Sequence, residues 1–188
     1  IGKISSKLYG DYNAYNLAAG SILALELGIT LDKIQENSLK CKAPIRRFES
    51  IINNKKVRII DDYAHHPTAI KAVRENINKN FLKNEVILVF QPHRFTRTSM
   101  LLEDFVEELS SWKNLYLVNI YSAFEKNNVN GNKLFDKIKK RNAKAQFFEN
   151  NEILIDKIIS KLKYKKYTII TMGAGDIREV GIKLKKRI

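Results

Sequence analysis

Three apolar runs limit most strongly what this chain can fold into: "VILVF" (86–90), "LYLVNIY" (115–121) and "YTIITM" (167–172). None shows the strict apolar–polar alternation of a half-solvated strand, so each suits a strand covered on both faces. Between them lie segments with helical spacing of apolar residues. Strands alternating with helices in this way define an open, mainly parallel, Rossmann-like α/β sheet flanked by helices. The pattern predicts helices over Pro67–Asn80, Thr98–Ser111, Asn132–Arg141 and Glu152–Leu162, and a last one from about Asp176. Strands are expected at Glu85–Gln91, Leu115–Tyr121, Ala145–Glu149 and Tyr167–Met172. Ahead of them, "RRFESII" and "KKVRIID" flank Asn53-Asn54, the signal of an N-terminal β-hairpin.

Residues 1–44 follow a different pattern. "NAYNLAAGSILALELG" has small and apolar residues at helical spacing and ends at Gly28, a suitable helix C-terminal cap. A second short helix opens at Thr30, with Asp32 behind it. Pro44 ends the helical pattern and forces an extended entry, which places a boundary between 1–44 and 45–188. The first region holds five basic and four acidic residues, so nearly all of the net charge of +14 belongs to the second.

Composition excludes several classes of function. With 188 residues, 44% apolar and 29% charged, the chain is that of a globular domain with a sizeable core. No apolar run approaches the roughly 18–20 residues that cross a bilayer, so no membrane partner is expected. The opening "IGKISSKLYGDYN" has no apolar signal region. It lacks Met and begins mid-pattern, as an excised piece of a longer chain would. The single cysteine, Cys41, rules out an internal disulfide and suits a reducing, cytoplasmic setting. A charge of +14 would fit a basic α/β module that binds nucleic acid. However, 25 of the 34 basic residues are Lys, beside 24 Ile and 18 Asn, which reads as a shared compositional bias. The basic residues are dispersed, so a nucleic-acid partner is not expected.

Ligands of open α/β sheets sit outside the carboxyl ends of the strands. The polar clusters of this chain fall at those ends: Asp61-Asp62-Tyr63 with His65, then His93-Arg94 with Arg97, then Tyr121, then Gly173-Ala174-Gly175-Asp176. Imidazoles at such an edge donate or accept hydrogen bonds near neutral pH. Arg94 and Arg97, three apart at the head of a helix, suit one carboxylate or phosphate. Surface arginines beside Glu103 and Asp104 are the plainer alternative. Asp61 and Asp62 point to opposite faces of a strand, so at most one is expected to enter a site. His66, next to Pro67, is expected to face solvent or cap the helix. Three histidines without a fourth nitrogen or thiolate at suitable spacing argue against a zinc site, and no metal ligands are assigned. "GAGDIR" fails the dinucleotide fingerprint, because Arg178 stands where the third glycine belongs. There is no Gly-x-Ser-x-Gly elbow, and Cys41 has no nucleophile signature.

"DDYAHHPT", "FQPHRFTRT", "IYSAFE" and "GAGDI", in this order, resemble the Mur ligase family, in the branch that adds L-alanine to UDP-N-acetylmuramate. "GDYNAYNLAAGSILALELGI" followed by "RRFE" resembles the passage from that family's central ATPase domain into its C-terminal domain. The resemblance covers essentially the whole chain. It implies a three-domain cytoplasmic enzyme of peptidoglycan synthesis that uses ATP and Mg2+ and proceeds through an acyl phosphate. Residues 1–44 would be a helical remnant of the central domain and 45–188 the C-terminal domain. The phosphate loop, most magnesium ligands and the UDP-binding domain are not in these residues. By motif, Asn13 and Asn16 match positions near the adenine, Asp62 and Tyr63 positions near the ribose, and Arg47 an arginine that reaches the phosphates. His65, His93, Arg94 and Arg97 match positions that line the alanine end of the cleft, with His65 and His93 the catalytic candidates. A helix N-terminus at Arg94–Arg97 would add favourable potential for the alanine carboxylate. The partners implied are L-alanine, UDP-N-acetylmuramate and the enzyme's own N-terminal and central domains. Another amino-acid-adding member, such as one that recycles muropeptides, is the alternative. Tyr12 replaces a usual His, and Ala64 and Phe124 replace usual glycines.

Overall fold

A computed structural model describes residues 2–81, 85–126 and 131–188. They form two units, Ile1–Ile45 and Arg46–Ile188. In the first, α1 (Asp11–Glu26) packs against α2 (Leu31–Ser38). The chain ahead of α1 is tied to α2 by side-chain bonds. Gln35 Nε2 donates to the Lys3 carbonyl (2.7 Å) and Ser38 Oγ to that of Ser5 (2.9 Å). Gly28 follows α1 with φ +82, the left-handed conformation that a glycine cap supplies. Much of α1's apolar surface, including Ile22, Leu23 and Leu25, is exposed.

The second unit is built on a six-stranded sheet, in the order β1-β2-β6-β3-β4-β5. Its strands are β1 (Glu49–Asn53), β2 (Val57–Asp62), β3 (Val86–Phe90), β4 (Leu115–Val118), β5 (Gln146–Phe148) and β6 (Tyr167–Met172). Only β1 and β2 pair antiparallel; the other pairs are parallel. The apolar runs explain the layers. Ile60, Leu88, Phe90, Leu117 and Ile170 face one core, with α3 (Pro67–Asn80), α5 (Leu102–Ser110) and α6 (Gly131–Arg141). Ile59, Ile87, Val89, Tyr116 and Ile169 face the other, with α7 (Asn151–Leu162) and α8 (Arg178–Arg187). Each fully buried Ile or Leu contributes about 1.5–3 kcal/mol, which is why strands this short hold.

Several expected boundaries move. The hairpin turn is centred after Asn53-Asn54: Asn53 pairs with Arg58, and Asn54 Oδ1 accepts from the backbone N–H of Lys56 (2.8 Å) and Val57 (2.9 Å). The Thr98–Ser111 helix is two pieces, α4 (Phe95–Met100) and α5, broken at Leu101 (φ −108°, ψ 27°). The strand expected to reach Tyr121 stops at Val118. Tyr121 then rejoins the sheet in a single bridge with His93. Two bonds make this bridge: Tyr121 N donates to the Pro92 carbonyl and Arg94 N to the Tyr121 carbonyl, both at 2.8 Å.

Candidate active-site edge

The carboxyl ends of β2, β6, β3 and β4 lie side by side in the sheet. After β2 and β3 the chain crosses to the α3–α5 face; after β6 it turns to α8 on the opposite face. The crevice therefore flanks the end of β6, as expected at a switch in connection direction. That strand runs into Gly173-Ala174-Gly175. Gly173 has φ +146, and a Cβ there would sit 2.6 Å from the Gln91 carbonyl. A Cβ on Gly175 would lie 2.4 Å from Gln91 Oε1 and 2.5 Å from the Tyr121 ring. Gln91 latches this loop: its Nε2 donates to Asp176 Oδ1 (2.7 Å), and its Oε1 accepts from Ile177 N (3.2 Å).

Four rings run across this edge. Tyr63 meets His65 edge-on (5.1 Å between centroids), His65 lies 5.6 Å from His93, and His93 stacks on Tyr121 (5.6 Å, 11°). The histidines follow strands that β6 separates, yet their rings touch. His65 Nδ1 lies 2.9 Å from the Tyr63 carbonyl. A carbonyl only accepts, so Nδ1 carries the hydrogen and Nε2 the lone pair of the neutral ring. His93 is the reverse: Arg97 Nη1 donates to its Nδ1 (3.4 Å), which leaves the hydrogen on Nε2. Burial lowers both pKa values, and the nearby arginines push the same way. The edge thus holds two neutral imidazoles, one offering an acceptor at Nε2 and the other a donor.

Arg94 and Arg97 flank this row. Arg94 is the N-cap of α4 with φ +72, and its Nε donates to Glu125 Oε1 (2.9 Å). The partner is thus Glu125 rather than Glu103 or Asp104; Glu103 pairs with Lys137. Glu125 also accepts from Thr96 N (3.1 Å) and Thr96 Oγ1 (2.5 Å). The anion at the head of α4 is therefore the protein's own, and the potential expected there for a substrate carboxylate is already used. These bonds, the Thr96 hydroxyl first, hold the Glu125 carboxyl down to about 2.

The paired acids diverge as expected, but neither offers a free carboxylate. Asp61 is 0% exposed, accepting from Thr171 Oγ1 (2.7 Å), Arg46 Nε (3.1 Å) and Arg178 Nη1 (3.3 Å). Asp62, 3% exposed, accepts from Phe48 N and Ala64 N, both at 2.8 Å. Burial raises its pKa, against the pull of those two N–H bonds. Asp62, expected near a ribose, shapes the turn that carries Tyr63. Ala64 sits in that turn with no left-handed φ, so the loss of a glycine costs nothing there. Phe124 differs: it has φ +70 and is 101% exposed, so a bulky residue holds a conformation suited to glycine.

Sequence reasoning missed Arg46. Its guanidinium holds Asp61, donates to the carbonyls of Gly173 (2.6 Å) and Ala174 (3.4 Å), and lies 5.0 Å from the Tyr63 ring. Arg47 is exposed, 5.9 Å from the same ring. The "RR" doublet was the only signal; it lies in a turn ahead of β1, where Arg46 takes φ +63 and points inward while Arg47 stays exposed. His66 caps α3, its Nδ1 accepting weakly from Thr68 N (3.4 Å). In the first unit, Asn13 is buried with its Nδ2 donating to the Tyr9 carbonyl (2.7 Å), Asn16 is exposed and Tyr12 half-buried. Asn13 and Asn16 line an apolar groove of about 790 Å³ within that unit. Among the described residues no three His, Cys, Asp or Glu side chains are grouped to hold a metal, and no helix is long and apolar enough to cross a membrane.

The fold is thus an open, mainly parallel α/β sheet whose carboxyl edge gathers imidazoles and guanidiniums at its switch point. Residues 46–175 match the family described as Mur ligase, glutamate ligase domain, and the chain belongs to the Mur ligase family. It is 35% identical over 189 residues to a UDP-N-acetylmuramate--L-alanine ligase of Fusobacterium nucleatum, covering 94% of this chain and 39% of that protein. The corresponding figure for the Clostridium novyi ligase of the same name is 36% over 174 residues, covering 92% and 38%. A crystal structure of UDP-N-acetylmuramate-alanine ligase from Thermotoga maritima superposes with a TM-score of 0.80 at 24% identity. That match covers 100% of this chain and 40% of the other, and shows the fold. The chain thus spans about two-fifths of the length of the relatives it matches.

Proposed function

We propose that these residues form the amino-acid-binding part of a longer ATP-dependent ligase that joins L-alanine to UDP-N-acetylmuramate in the cytoplasm. The observation that carries this reading is the ring row Tyr63–His65–His93–Tyr121 flanked by Arg94 and Arg97 on one sheet edge. The names of the relatives support the choice of substrates. In the reaction, the muramate carboxylate takes the γ-phosphoryl group of ATP, giving an acyl phosphate and ADP. The alanine nitrogen attacks the acyl carbon, the C–N bond forms and the C–O bond to phosphate breaks. The nitrogen must shed a proton, and the Nε2 lone pair of His65 takes it. His93, with its hydrogen on Nε2, donates to a substrate oxygen. Arg94 and Arg97 hold the alanine carboxylate, since a small amino acid has little else to bind by.

The remaining assignments concern the nucleotide. Arg47, exposed beside Tyr63, is the side chain best placed in this unit to meet phosphates, and Tyr63 offers a ring face to the ribose. Asp62 acts through the turn beneath Tyr63. Asn13 and Asn16 belong to the part of the molecule assigned to the adenine, and residues 1–44 to the end of the central domain. Mg2+, when bound with ATP, offsets phosphate charge; its ligands are assigned mostly to the central domain of the full-length protein. The partners are then the two small substrates and the enzyme's own N-terminal and central domains.

The test is to give the full-length protein ATP, UDP-N-acetylmuramate and either free L-alanine or a preformed peptide beginning with L-alanine. Mass spectrometry should find the alanyl product with free alanine, one ADP per product. Product from the peptide and none from alanine would assign the protein to muropeptide recycling instead.

A further inference from the structure

We infer that Glu125 is the positioning residue that aims Arg94, and that it acts on the incoming amino acid only through that guanidinium. The inference rests on the amino-acid site proposed above and adds a residue to which that proposal gives no role. Glu125 lies 31 residues from Arg94 in sequence and bonds its Nε alone. Among the described residues, Arg94 Nη1 and Nη2 make no hydrogen bond, and the side chain is 50% exposed. A guanidinium held at Nε keeps its Nη edge in a fixed plane, the geometry that two carboxylate oxygens require.

The surroundings are built to hold this arrangement. Arg94 keeps a left-handed φ of +72, fixed by its N–H on the Tyr121 carbonyl (2.8 Å) and by Thr98 N and Oγ1 on its own carbonyl (3.1 and 2.8 Å). Glu125 is delivered by Ala123 and Phe124, both non-glycine residues at positive φ (49° and 70°). Two strained segments meeting at one ion pair mark a place where geometry matters more than local stability. Since Glu125 also fills the head of α4, a substrate carboxylate is left to the arginine side chains. Arg97 is aimed by His93 and Arg94 by Glu125.

A double-mutant cycle in the full-length protein tests this, with alanine KM, ATP KM and melting midpoint read for Glu125→Ala, Arg94→Ala and the pair. Each single variant should raise alanine KM about fivefold or more with ATP KM held within about twofold, and the pair should be no worse than Arg94→Ala alone. Glu125→Gln, which keeps an acceptor oxygen for Arg94 Nε, should recover part of the loss, and it carries the same cycle if Glu125→Ala does not fold. A Glu125 effect of the same size with Arg94 already removed would overturn the inference, because a residue that only supports the loop behaves that way. So would an unchanged KM in Glu125→Ala beside a raised one in Arg94→Ala. If Arg94→Ala itself leaves alanine KM unchanged, Arg94 does not bind the amino acid, and the underlying assignment falls together with the inference.

Discussion

His65 and His93 differ in hydrogen-bond polarity because their Nδ1 atoms face opposite partners, a carbonyl in one case and a guanidinium in the other. Both are lowered by burial from the ordinary 6.5, so the unfolded rings bind protons at a pH where the folded rings do not. Stability from these rings is therefore fully present above the unfolded value, and it is lost as pH falls from there toward the depressed folded values. In urea unfolding between about pH 7.5 and 5.5, the double variant His65→Gln/His93→Gln should lose less stability than wild type. An equal loss in both proteins would mean that the rings titrate as they do in water. That histidines, arginines and acids gather at strand ends was legible in the sequence. Which of two adjacent residues turns inward was not: Arg46 against Arg47, and the burial of Asp61, depend on partners more than a hundred residues away, such as Gly173, Thr171 and Arg178.

Elements whose signal is local matched expectation closely. Pro67–Asn80 begins at a proline behind a capping His66, and Tyr167–Met172 is an apolar run with its ends marked. Elements that depend on distant groups did not. The start of α4 is set by Glu125, some thirty residues on, so the local pattern around Thr98 gave no warning of a helix head at Phe95. Tyr121 returns to the sheet only because His93 stands beside it. The turn after β6 shows how closely these elements fit. Gly175→Ala would drive a methyl into Gln91 Oε1 and the Tyr121 ring and so strain the latch on Asp176. The expected loss is about 1–3 kcal/mol by chemical denaturation. Unchanged stability would show that the loop shifts aside without cost.

On the scale of the whole molecule, these residues are proposed to carry one part of a ligase's labour. The sequence contains no glycine-rich Lys-Thr phosphate loop, and without one nothing cradles the β- and γ-phosphates. The 188 residues alone should therefore turn over no ATP above a mock preparation; turnover would place a phosphate site where none is argued. The part proposed for them is the end that receives the amino acid, and Arg97 is its most direct probe. Lysine there keeps the charge but loses the planar two-pronged donor and the bond to His93. In the full-length protein, steady-state kinetics of Arg97→Lys should show alanine KM raised about tenfold or more, with ATP and UDP-N-acetylmuramate KM nearly unchanged. An alanine KM within about twofold of wild type beside weakened ATP binding would assign this edge to the nucleotide and contradict the account.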